Sequence, residues 1–120
     1  MKIGIMLVFL AFFSFAFADV ADTVQATVGK EFVITMEANA TTGYSWELAD
    51  PIDESQISLV SSEYVPANTD LVGAGGKSVW TFKALRVSKA KISFKYVRPW
   101  EKDVPPAKVS AFIVDIRNKK

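Results

Sequence analysis

From residue 19 onward, apolar and polar residues alternate one by one along most of this chain, and no stretch keeps helical spacing for long enough to compete. Alternation of period two sends successive side chains to opposite faces of an extended strand, so the chain is confined to sheets with one buried and one wet face. Residues 89–97 are the clearest case: Ala90, Ile92, Phe94 and Tyr96 point one way, Lys89, Lys91, Ser93 and Lys95 the other. Residues 31–38 put Phe32, Ile34, Met36 and Ala38 inward, and residues 44–48 do the same with Tyr44, Trp46 and Leu48. Residues 78–85 offer Trp80, Phe82 and Ala84, and residues 108–116 offer Phe112, Val114 and Ile116. Weaker strands fall at 23–28 and 57–65. Such a run of short strands, broken by Gly, Pro, Asn and charged turns, predicts an all-β fold, an immunoglobulin-like β-sandwich of about seven antiparallel strands.

The opening of the chain follows another rule. Lys2 supplies a positive start, residues 3–17 are almost wholly apolar, and Ala16-Phe17-Ala18 is a small-x-small cleavage site before Asp19. Residues 1–18 therefore read as a secretory signal peptide and residues 19–120 as the mature domain. A membrane anchor is the rival reading, but the apolar run is shorter than the ~20 residues that span a bilayer.

Removing that leader takes five of the nine Phe and one of the 14 basic residues, leaving 13 basic against 13 acidic, a formal charge of zero. No concentrated basic face is available for nucleic acid or an anionic membrane. About a hundred residues make one domain with one core. The chain has no Cys, so its core must hold without the disulfides common in secreted domains, and no His, the usual general base and commonest metal ligand. The expectation is a protein that is not an enzyme and uses no cofactor or metal.

Three segments between strands remain: Asn39-Ala40-Thr41-Thr42-Gly43-Tyr44, Gly73-Ala74-Gly75-Gly76 and Arg98-Pro99-Trp100. If consecutive strands run antiparallel, the connections after the second, fourth and sixth strands (39–43, 66–77 and 98–107) all emerge at one end. Each has a plain reading and a functional one. The first is a self-satisfied turn or a small stiff tip bearing hydroxyls. The second lacks the Lys-Ser/Thr of a phosphate loop; it is a flexible hairpin tip or a backbone free to pair with an extended partner. In the third, Trp100 either folds back over the core or stands out as an interface anchor beside Arg98.

Together these segments resemble the chagasin-like inhibitors of papain-family cysteine peptidases. That family carries an Asn-Pro-Thr-Thr-Gly-aromatic loop, a Gly-x-Gly-Gly loop and an Arg-Pro-aromatic loop, in this order, on an immunoglobulin-like sandwich. The resemblance spans nearly the whole mature domain. It implies a monomeric, reversible, tight-binding inhibitor that forms a 1:1 complex with a papain-like (cathepsin-like) peptidase and closes its cleft from three sides. Thr41, Thr42 and Gly43 would sit over the catalytic centre, the backbone of Gly73, Ala74, Gly75 and Gly76 along the non-primed side, and Arg98, Pro99 and Trp100 on the primed side. The implied setting is the secretory pathway, either secreted or in an endolysosomal or vacuolar lumen.

The family's Pro is replaced here by Ala40, which removes a φ restraint and creates the glycosylation sequon Asn39-Ala40-Thr41. Asn39 is expected to be unmodified in active protein, since a glycan would sit on the inserting tip. The main alternative is a secreted adhesion or carbohydrate-binding module that uses the same loop end.

Overall fold

The computed structural model describes residues 21–69 and 73–119. The leader reading of residues 1–18 lies outside them. Among the described residues there are seven strands: β1 Asp22–Thr27, β2 Glu31–Ala38, β3 Ser45–Leu48, β4 Ile57–Pro66, β5 Gly76–Ala84, β6 Ser88–Val97 and β7 Lys108–Arg117. They form a four-stranded sheet, β1-β7-β6-β3, and a three-stranded sheet, β2-β5-β4. The alternating residues meet between these layers. Phe32, Ile34, Met36, Trp80, Phe82 and Ala84 on one sheet face Ile92, Phe94, Tyr96, Phe112, Val114 and Ile116 on the other. Trp80 joins the layers through an edge contact with Phe94, ring centroids 5.0 Å apart.

One pairing departs from the all-antiparallel expectation: β1 runs parallel to β7. Strand direction alternates along the chain, so the first and seventh strands point the same way. Once they become neighbours they can only pair parallel. The remaining pairs, β2–β5, β3–β6, β4–β5 and β6–β7, are antiparallel.

β4 carries a register shift between Leu59 and Ser61. The extra residue, Val60, moves the inward parity from Ile57 and Leu59 to Ser62 and Tyr64, which lie opposite Trp80 and Ser78. β5 starts two residues earlier than its alternation suggests. Gly76 pairs with both Ala38 and Pro66 and is buried, so it belongs to the sheet and not to the loop.

Candidate functional site

The connections after β2, β4 and β6 meet at one end of the sandwich, as the parity of the strands requires. The first is a single 3-10 turn, Ala40–Thr42, capped by Asn39 in extended conformation. Asn39 Oδ1 accepts from the Thr41 amide at 3.1 Å and from Thr41 Oγ1 at 2.6 Å. Thr42 Oγ1 donates to Asn39 O at 2.7 Å, and Gly43 ends the turn in the left-handed region at φ 84°. Both hydroxyls thus bond within the loop, as the plain reading expects, yet Thr41 and Thr42 stay exposed at the tip.

An aromatic column supports this turn. The Asn39 amide donates to Tyr96 Oη at 2.9 Å, Tyr96 stacks on Tyr44 at 5.2 Å and contacts Trp46 at 4.8 Å, and Trp46 Nε1 donates to Glu37 O at 2.9 Å. Tyr44 is half-buried in that column just before β3. Tyr96 was legible in the sequence only as an inward-facing strand residue; its hydroxyl holds the root of the first loop.

Side chains then tie the loops together. Asn39 Nδ2 donates to Gly73 O at 3.0 Å, joining the first loop to the second. Arg98 Nε donates to Thr42 O at 3.1 Å, joining the third loop to the first. The same guanidinium lies 4.4 Å above the Tyr44 ring, with Nη1 3.4 Å from Glu101 Oε2. Glu101 thus steadies Arg98. In the second loop, Gly73 is exposed with φ 79°, while Ala74 and Gly75 are partly covered. At its foot Glu37 pairs with Lys77, an exposed ion pair of small energetic weight.

Of the three Trp, Trp46 and Trp80 are 9% and 7% exposed, whereas Trp100 is 66% exposed. Trp100 does not fold into the core. Its indole leans over Gly43 so closely that a Cβ there would lie 2.5 Å from Trp100 Cη2. A side cleft of about 250 Å³ beside the first loop is lined by Tyr44, Trp46, Tyr64 and Trp80 among others. Both of its Trp rings are buried, so they present little face on which a sugar could stack.

Fold and site together define a β-sandwich whose first loop is hydrogen-bonded to the second and the third at one end. Residues 25–116 match the family described as Chagasin family peptidase inhibitor I42. The chain belongs to that family, and so is a peptidase inhibitor and not an enzyme. It is 31% identical over 84 residues to Amoebiasin-2 of Entamoeba histolytica, covering 70% of this chain and 68% of that protein. It is 28% identical over 81 residues to Chagasin of Trypanosoma cruzi, covering 65% and 74%. The crystal structure of the cysteine protease inhibitor EhICP2 from Entamoeba histolytica is similar at TM-score 0.69 and 25% identity, covering 81% of this chain and 87% of that one. PbICP-C, whose structure was solved in complex with falcipain-2, shares the fold at TM-score 0.56 and 21% identity, covering 83% and 90%.

Proposed function

We propose that this protein is a reversible, tight-binding inhibitor of papain-family cysteine peptidases, closing the active-site cleft with the 39–43 turn flanked by the loops that follow β4 and β6. The observation that carries this reading is the mutual bonding of the three loops, through Asn39 to Gly73 and Arg98 to Thr42, on rigid strand ends. A surface already held in its bound shape avoids most of the ordering cost of association, and nanomolar affinity needs roughly 12 kcal/mol net. Blockade by shape needs no thiol of its own, in keeping with a chain that has no Cys. The self-bonded turn at 39–43 does not lie out as an extended peptide, the form a peptidase nucleophile attacks. The complex of the related PbICP-C with falcipain-2 supports the choice of target class. The leader-like sequence of residues 1–18 supports a site of action in or beyond the secretory pathway.

The test is titration of residues 19–120 against active-site-quantified papain and a cathepsin L-type enzyme, following hydrolysis of a small fluorogenic substrate. Stoichiometric, reversible loss of activity at nanomolar concentration, with the inhibitor recovered uncut, is the expected result. Full activity of several papain-like enzymes at micromolar inhibitor would overturn it.

A further inference from the structure

The resemblance assigns Arg98 to the surface that meets the peptidase, but the contacts of its side chain lie inside the molecule. We propose that Arg98 is a positioning residue, a brace that aims the first loop relative to the third so that both enter a cleft as one body. The proposal rests on the inhibitor reading above.

The bonds of the 39–44 turn sort into two kinds. Those from Asn39 Oδ1 and O, Ala40 O and Thr42 Oγ1 are local, and they make the turn without fixing its direction. Direction must come from contacts with distant parts of the chain. Among the described residues these include the Asn39 amide on Tyr96 Oη, Asn39 Nδ2 on Gly73 O, Arg98 Nε on Thr42 O, Trp100 against Gly43, and the Tyr44 ring stacked on Tyr96 and lying under the Arg98 guanidinium. The two Asn39 bonds act at the entrance of the turn. Arg98 acts on its far half, at the residue before the left-handed Gly43.

The guanidinium suits this task through its shape. The Nε–H sits part-way along the side chain and reaches Thr42 O, the flat face covers the Tyr44 ring, and the outer edge approaches Glu101. Lys has no donor at the Nε position and no planar face, so it cannot make the three contacts together. The brace also has a particular use in this chain. Ala40 opens the 3-10 turn at the position where Pro would pre-set φ, so the first loop lacks that internal stiffener and depends more on external ones.

The experiment compares wild type, Arg98→Lys and Arg98→Ala in two readouts: inhibition of papain, and backbone NMR order parameters of residues 41–44 in the free protein. If the unbraced turn holds the binding shape about a tenth of the time, the inhibition constant rises about tenfold. Order parameters at 41–44 fall in both variants while those of β5 and β6 stay at wild-type values. Arg98→Lys keeps the charge and decides the matter should Arg98→Ala fail to fold. Weaker inhibition with unchanged order parameters would mean that Arg98 touches the peptidase directly, and unchanged inhibition would mean that the brace is idle; either overturns the proposal. If wild type inhibits nothing, the inhibitor reading falls, and the order parameters still judge the brace.

Discussion

Trp100 combines a large apolar surface, high exposure and a fixed seat against Gly43, which are the attributes of an interface anchor. Replacing it with Ala is expected to weaken inhibition by about 2 kcal/mol or more, roughly 30-fold in the inhibition constant, with the thermal midpoint held near wild type. An inhibition constant within twofold of wild type would remove Trp100 from the interface. Asn39 shows the opposite use of a side chain. Both ends of its carboxamide are engaged, Nδ2 on Gly73 and Oδ1 on Thr41, so a glycan on Nδ2 would have to be fitted between the first and second loops. Fully inhibitory protein secreted from a glycosylating host is expected to carry the unmodified mass, and a glycan mass on an active sample would exclude this use of Asn39. At this scale the sequence singled out these residues without showing what their side chains touch. Residue type marks Arg98 as a hot-spot candidate, but only coordinates show that its guanidinium turns toward Thr42 and Tyr44 and not outward.

At the scale of elements, legibility followed the regularity of the alternation. β2, β6 and β7 were readable because each lies against a core that demands an apolar residue at every second position. β4 was faint because Val60 breaks its parity and because its second half, at a sheet edge, leaves Ser62 and Tyr64 exposed on the inward side. The start of β5 was missed for another reason: glycine carries no side chain to register in an apolar pattern. At Gly76 an added Cβ would collide with Val65 O and lie 2.8 Å from Pro66 Cα, both backbone atoms of β4 that cannot swing aside. At Gly75 the nearest such neighbour is Ala38 O at 3.1 Å, a tighter fit than usual but a milder one. Gly76→Ala is therefore expected to destabilise by about 1–3 kcal/mol, as overpacking does. That corresponds to roughly 4–8 °C in thermal midpoint per kcal/mol for a domain of this size, with Gly75→Ala losing clearly less. Equal midpoints for the two variants would show that Gly76 serves the loop and not the β4–β5 pairing.

For the whole molecule, the question is how a small sandwich without a disulfide keeps its loop end in register when the medium turns acidic. The chain has no His, the side chain whose ordinary titration falls between pH 5 and 8, so no such switch is built in there. The acid-sensitive groups lie lower. Asp115, buried on β7, is held below the usual carboxylate range first by its hydrogen bonds from Arg117, and Asp53 is lowered chiefly by the Ser55 hydroxyl and amide. A carboxyl that ionises more readily folded than unfolded stabilises the fold fully above the unfolded value of about 4, and that contribution disappears as pH falls through the lower folded value. Thermal midpoints are therefore expected to stay level from pH 7 to 5 and to drop below about pH 4. Asp115→Asn should start lower at pH 7 and decline less below pH 4, so that the two curves converge. Curves that stay parallel down to pH 2 would place the acid sensitivity elsewhere. Convergence, with both midpoints level from pH 7 to 5, would place the acid weakness on β7 at the Asp115–Arg117 pair and leave the loop end intact above about pH 5.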